Sequence, residues 1–126
     1  MTQRRTTRGT NTQFPRLGEI FDVSLDPVVG SEIGKRRPAL VVSNDVNNQY
    51  AQTVTVVPLT GQPSDRNYPF EVLIPRGVAG LTSDSRAKCN QVRTIDKSRL
   101  VASRAMVTAQ YISEVKMALK NHLDLG

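Results

Sequence analysis

Short stretches in which apolar and polar residues alternate follow one another along most of the chain. Side chains of a β-strand point alternately to its two faces, so such a stretch predicts a strand with one buried face. In the first stretch, Phe21, Val23 and Leu25 fall on one face while Asp22 and Ser24 fall on the other. The stretches with this pattern are 17–25, 53–60 and 70–74.

Other segments depart from simple alternation. The run PALVVS over 38–43 is almost wholly apolar, which predicts a strand buried on both faces. Pro58 argues for a sheet edge or a bulge near the end of the 53–60 strand, because proline cannot donate to a ladder. Over 84–95 the apolar positions change parity after Cys89, which predicts a bulge near Asn90. A further short strand is expected within 100–107.

The end of the chain has helical periodicity instead. Beyond Thr108, a residue type that commonly caps helices, the apolar residues recur every three or four positions, as on one face of a helix. These residues are Ile112, Val115, Ala118, Leu119 and Leu123. The pattern therefore predicts five or six antiparallel strands and one C-terminal helix. We expect an α+β fold built as a small barrel or half-open sheet.

Charge divides the chain into a tail and a domain. Of the net charge of +6, four positive charges come from the arginines of residues 1–16, a segment that has no acid. The rest carries 13 basic and 11 acidic residues and is only mildly basic. We predict a disordered basic tail over 1–16 and a single domain over 17–126. The charge agrees with a polyanionic partner but is weak evidence for one.

Composition excludes several classes of protein. One cysteine, Cys89, and one histidine, His122, supply neither a disulfide framework nor a structural zinc site. No apolar run approaches the roughly 20 residues that span a bilayer. We therefore expect a cytoplasmic protein with no metal, no cofactor and no membrane partner. Cys89 is predicted to be a small core residue.

Familiar catalytic patterns are also missing from the sequence. It contains no glycine-rich phosphate loop, no HExxH and no GxSxG. A single histidine cannot provide the two-histidine acid and base pair that cleaves RNA in some nucleases. Any catalysis must therefore use Arg, Lys, Ser, Thr, Tyr or isolated acids.

One pair of residues is placed for chemistry if two strands form a hairpin. If 37–44 and 53–60 pair so that Asn44 is opposite Thr53, the same register puts Arg37 opposite Thr60. Directly opposed residues project from the same face, about 5 Å apart at Cβ. A guanidinium and a hydroxyl would then converge between two long loops, 26–36 and 61–69, and form a cleft suited to a phosphate. A slip of one residue would separate them, and an ordinary flanking arginine is the alternative.

Several motifs resemble the MazF/PemK (Kid) toxin family in order and spacing. They are GEIFDVSLDPVVGSE, RPALVVSND, TVTVVPLT, PFEV and DSRAKCNQVRTIDKSRL, which together cover 18 to about 100. The resemblance implies that the catalytic residues are Arg37, before proline in RPALVV, and Thr60, at the end of VVPLT. It also matches Glu32 to a loop acid of the family. Gly61 is a departure, since many relatives have a second small hydroxyl residue there.

The resemblance further implies an RNA-binding groove. Gln91 and Arg93, in NQVRT, match a polar motif near the groove of the family. Lys35 and Arg36 precede Arg37 and are expected to add positive charge to it. Tyr68, in the 61–69 loop, is a candidate for stacking on an unpaired base.

Members of this family are homodimeric endoribonucleases with an SH3-like barrel and a C-terminal helix. The resemblance implies metal-independent cleavage of single-stranded RNA at a short sequence, and inhibition by a cognate MazE-like antitoxin. Arg37 would stabilise negative charge on the phosphorus centre rather than donate a proton, because a guanidinium group in a protein keeps its protons. Two alternatives remain open, a CcdB-like gyrase poison of the same fold and a non-catalytic RNA-binding module.

Overall fold

A computed structural model describes residues 13–61 and 68–126. Most of the predicted tail and the middle of the 61–69 loop lie outside these residues. The strands are β1 Glu19–Ser24, β2 Arg36–Val41, β3 Thr53–Thr60, β4 Glu71–Ile74, β5 Ser85–Lys88, β6 Arg93–Asp96 and β7 Leu100–Met106. The helices are α1 Asp45–Tyr50 and α2 Ala109–Leu123. Short 3₁₀ turns occupy Val78–Gly80, Cys89–Gln91 and Lys97–Arg99.

The strands form one antiparallel sheet in the order β4-β5-β3-β2-β1-β7, and β6 pairs with β3. β3 is the central strand, because it pairs with β2 along one side and with β6 and then β5 along the other. No pairing joins β4 to β7 in the described part of the chain, so the sheet is open. This architecture confirms the predicted α+β class, with a barrel-like sheet that is not closed.

Each face of the sheet has its own core. The face toward α2 contains Leu40, Val57 and Leu59, which pack with Val115 and Ala118 of the helix. The opposite face contains a second cluster, Val23, Leu25, Ala39, Val41, Val54, Val56 and Ile95. Consecutive residues of β2 divide between the two clusters, which confirms the strand buried on both faces.

Three local features differ from the sequence-based expectation. The segment predicted as one strand with a bulge near Asn90 is two strands, because the turn Cys89–Gln91 separates β5 from β6. The sheet therefore has seven strands within the described residues. The polar connection between β2 and β3 contains α1, which begins after the capping residue Asn44. Pro58 is buried in the central strand, at the point where the partner of β3 changes from β6 to β5.

Buried polar contacts of α1 fix the connection that sets the β2–β3 register. Asn48 has no exposed surface, and its amide nitrogen donates to the carbonyl oxygen of Ser43 at 2.7 Å. The hydroxyl of Ser43 donates to the side-chain oxygen of Asn48 and accepts from the backbone N–H of Thr55. These bonds tie the end of β2 to the beginning of β3 and so restrict register slips.

Candidate active site

The β2–β3 pairing has the register that the hairpin argument assumed. Ala39 is opposite Pro58 and Leu40 is opposite Val57. Continuing this register by two residues places Arg37 opposite Thr60, and both line one cleft of about 420 Å³. The described pairing ends at Ala39, where the two strands reach the cleft. Arg37 and Thr60 therefore share the walls of one cleft, and their catalytic role stays a prediction.

Arg37 is held by the loop that precedes it. Its Nε donates to the carbonyl oxygen of Gly34 at 2.8 Å, and the residue is half-buried. This bond uses one of the five guanidinium N–H donors and fixes the plane of the group. The remaining donors belong to the end of the side chain, which is suited to bidentate binding of a phosphate.

Glu32 and Gln91 approach the cleft from two other elements. Glu32 Oε1 accepts from the backbone N–H of Val29 at 2.8 Å within the loop. Gln91 Oε1 accepts from the backbone N–H of Ile33 at 3.3 Å, which joins the loop to the turn between β5 and β6. Both residues line the 420 Å³ cleft and also an adjoining cavity of about 410 Å³.

Arg93 lies in the wall of this adjoining cavity. Its NH1 donates to the carbonyl oxygen of Leu25 at 3.1 Å. The two cavities share Glu32, Asn90 and Gln91, so they form one continuous polar groove. A phosphate bound by Arg37 would leave room along this groove for neighbouring nucleotides.

Three residues predicted to bind substrate are not in the walls of the two cavities. Lys35 is exposed, and its backbone N–H donates to Asp26 Oδ1 at 2.8 Å. Arg36 is exposed where β2 begins, opposite Ser24. Tyr68 is 38% exposed and stacks on Phe70 with ring centroids 5.0 Å apart. Their roles stay predictions.

Two further cleft residues were missed by the sequence reasoning. Lys88 and Asn90 line the cleft beside Arg37 and Thr60. The alternation in SRAK, over 85–88, places Arg86 and Lys88 on the face opposite to the buried Ala87, which is a usable signal. It became informative only once the pairing of β5 with β3 was known.

The cleft contains polar groups with no thiol nucleophile. Cys89 adjoins Lys88 in sequence, but it packs in the core on the α2 side with no exposed surface. Burial, and secondarily the negative charge of Glu71, raise the pKa of this thiol to about 12. Within 13–61 and 68–126, no group of His, Cys, Asp and Glu is arranged to hold a metal ion. Neither helix there is long and apolar enough to cross a membrane.

The chain is similar to known proteins in sequence and in fold. Endoribonuclease MazF9 of Mycobacterium tuberculosis is 43% identical over 115 residues, which cover 87% of this chain and 97% of that protein. The crystal structure of MazF from Deinococcus radiodurans superposes with a TM-score of 0.76 at 28% identity and covers 90% of this chain and 100% of that one.

A second structure is an endoribonuclease in complex with its cognate antitoxin from a mycobacterial species. It has a TM-score of 0.72 at 25% identity and covers 89% of this chain and 97% of that one. The family model for the PemK-like, MazF-like toxin of type II toxin–antitoxin systems matches residues 16–123. The chain therefore belongs to the PemK-like, MazF-like toxin family of type II toxin–antitoxin systems.

Proposed function

We propose that this chain is an endoribonuclease toxin that cleaves single-stranded RNA at a short sequence without a metal ion. The observation that carries the proposal is that Arg37 and Thr60 line one polar cleft. They lie at the ends of two strands whose register, continued by two residues, sets them opposite each other. The 43% identical relative is itself named an endoribonuclease, which supports the reaction type. A gyrase poison of similar fold is not favoured, because the named relatives are endoribonucleases.

The reaction begins with attack of a ribose 2′-oxygen on the adjacent phosphorus. The P–O bond to the 5′-oxygen of the next nucleotide breaks, the 2′-oxygen loses its proton, and the leaving oxygen gains one. The products are a 2′,3′-cyclic phosphate and a 5′-hydroxyl. Arg37 stabilises the negative charge that develops on the non-bridging oxygens, and Thr60 donates a hydrogen bond to one of them. DNA lacks the 2′-hydroxyl and is not cleaved.

The RNA strand binds along the groove. Glu32 and Gln91 offer side-chain oxygens and an amide in both cavities, which suits recognition of base edges. Arg93 supplies positive charge in the second cavity. Lys35 and Arg36 add charge next to the cleft, and Tyr68 is the proposed stacking residue.

The proposal includes an assembly and a location. The toxin acts as a cytoplasmic homodimer, since one small open sheet offers only a shallow groove and a second copy would extend it. A cognate MazE-like antitoxin inhibits it, and the mycobacterial endoribonuclease solved in complex with its cognate antitoxin supports such a partner.

The experiment is cleavage of a long defined RNA by the purified protein, with and without EDTA. We expect cleavage in both conditions, no cleavage of the corresponding DNA, and at least a hundredfold loss with Arg37→Ala. Removal of one charge-stabilising donor costs about 3 kcal/mol, which corresponds to that loss. Arg76→Ala is the matched control, because Arg76 is exposed and outside the cleft walls.

Other outcomes would identify the alternatives. Binding without cleavage would indicate an RNA-binding module, and inactivity on RNA with trapped gyrase would indicate a gyrase poison. Near-normal cleavage by Arg37→Ala would rule out the assigned role. Sequencing the ends of the fragments gives the recognition sequence.

A further inference from the structure

A lysine that forms an ion pair with a buried glutamate lies beside the proposed catalytic pair. Lys88 lines the same cleft as Arg37 and Thr60. Its Nζ is 2.6 Å from Glu71 Oε2, and the side chains are 25% and 2% exposed, respectively. Lys88 is thus paired with a buried carboxylate and at the same time forms part of the wall of an open cleft.

Strand pairing explains why Lys88 faces the cleft. Arg86 is opposite Thr60 across β3 and β5, so the two side chains project from the same face. Lys88 follows Arg86 by two residues and therefore shares that face. Glu71 is directly opposite Lys88 across β4 and β5. The alternation of side chains along β5 therefore places Lys88 on the same face of the sheet as Thr60.

Two cations lie against the carboxylate of Glu71. Arg86 NH1 lies 3.7 Å from Glu71 Oε1, so one carboxylate is shared by two cations. A buried carboxylate requires such partners, because desolvation of an unpaired charge is costly. The ammonium of Lys88 has three N–H donors, and one is directed to Glu71. The other two are available to a ligand.

We propose that Lys88 is a further RNA-binding residue that contacts a phosphate next to the one held by Arg37 and Thr60. Glu71 is its positioning residue, since the buried carboxylate fixes the ammonium group before RNA binds and reduces the loss of side-chain entropy on binding. The proposal rests on the function proposed above. A phosphate contact carries no sequence information, so its effect is expected on affinity rather than on the recognition sequence.

The test uses variants that remove the contact without leaving a buried charge. Lys88→Gln alone would leave the buried Glu71 carboxylate without its nearest cation, so the main variant combines Glu71→Gln with Lys88→Gln. This pair leaves the net charge of the protein at +6 and retains two side chains that can hydrogen-bond. Lys120→Gln is the control, because it removes an exposed charge of α2 outside the cleft. Thermal unfolding establishes that each variant is folded.

The measurement is the dissociation constant for an RNA that contains the mapped cleavage sequence, with a 2′-deoxy nucleotide in place of the attacking one. For each protein the constant is measured across a range of KCl concentrations. Each phosphate contact contributes about 0.7 to the slope of log affinity against log salt for single strands. We expect the double variant to lose about 0.7 of this slope and to bind about fivefold more weakly near 0.1 M salt.

Control variants separate a phosphate contact from a structural role. Lys120→Gln should keep the wild-type slope. Lys88→Arg should keep it as well, because the arginine can bind the same phosphate. If the amide pair does not fold, Glu71→Leu with Lys88→Met repeats the test with apolar groups in the same space.

Two results would overturn the proposal. An unchanged slope and affinity in the folded double variant would make the ion pair purely structural. A large loss of kcat with unchanged RNA affinity would place Lys88 in the chemical step instead. Failure of the proposed function is seen separately, because the wild-type protein would then not cleave the unmodified RNA at all.

Discussion

Cys89 shows how the fold makes a reactive side chain inert next to the cleft. The residues before and after it, Lys88 and Asn90, line the cleft, whereas Cys89 is fully buried in the core toward α2. Burial disfavours the thiolate, and the nearby Glu71 carboxylate adds to this effect. A nucleophilic role for the thiol is therefore not expected.

The raised pKa of Cys89 predicts a stability loss at alkaline pH. Its pKa is 9.0 ordinarily and about 12 in the folded protein. Above pH 9 the unfolded chain releases this proton while the folded protein keeps it, so the free energy of unfolding falls as pH rises toward 12. One such group changes stability by at most about 1.4 kcal/mol per pH unit.

Urea unfolding of the wild type and Cys89→Ala at about pH 8 and about pH 10.5, on either side of the ordinary thiol pKa, measures this effect. The wild type should lose more stability between the two pH values than the variant, because the other titrating groups are common to both proteins. Parallel losses would show that the thiol ionises as easily in the folded protein as in the unfolded chain.

Contact between β1 and the C-terminal helix depends on a glycine. Gly18, directly before β1, has φ of +92°, and a Cβ there would lie 2.7 Å from Ile112 Cδ1 of α2. Its backbone N–H donates to the carbonyl oxygen of Val41, and its carbonyl oxygen accepts from the N–H of Val107, each at 2.9 Å. A side chain at this position would therefore force Ile112 to shift and would hold the backbone in a conformation that favours glycine.

Gly18→Ala is expected to destabilise the fold more than a matched substitution. Gly77 has the same φ of +92°, but a Cβ added to it would meet no atom within 4 Å, so Gly77→Ala isolates the backbone cost of about 1 kcal/mol. Gly18→Ala should cost an additional ~1–3 kcal/mol from overpacking against Ile112. Chemical denaturation of both variants measures the difference. Equal losses would mean that the helix moves away at little cost.

The elements that could be predicted from the sequence are those set by local periodicity. β3 has a clear period of 2.0 residues, α2 has a period of 3.6, and β2 is a continuous apolar run; the conformations follow these patterns. α1 was not predicted, because six mostly polar residues give no periodic signal and its stability comes from the buried bonds of Asn48. The separation of β5 from β6 depends on which part of β3 each one joins, which is a tertiary choice.

The same distinction applies to the candidate site. The placement of Arg37 opposite Thr60 follows from one hairpin register, so sequence reasoning could reach it. Lys88 reaches the cleft through the pairing of β5 with β3, which are far apart in the sequence, and Glu71 reaches Lys88 through the pairing of β4 with β5. No spacing in the sequence reveals that these residues meet.

For the molecule as a whole, the positive charge near the groove suits two kinds of polyanion. Arg37 and Lys88 line the cleft, Arg93 lines the adjoining cavity, and Arg36 is exposed close by. RNA is one polyanion that can occupy these positions. An acidic protein segment with interspersed apolar side chains is another, and the mycobacterial endoribonuclease of similar fold is solved in complex with its cognate antitoxin.

A cognate antitoxin that covers the groove should compete with RNA. Ordering a flexible acidic segment costs conformational entropy, so tight inhibition requires a long contact surface. Because the segment would occupy the phosphate-binding positions, the apparent inhibition constant should rise in proportion to added RNA. It should also rise with salt, which screens the charge pairs. Steady-state cleavage at several RNA and KCl concentrations measures both effects. An inhibition constant independent of RNA concentration would place the antitoxin away from the groove, and the cations of the cleft would then serve RNA alone.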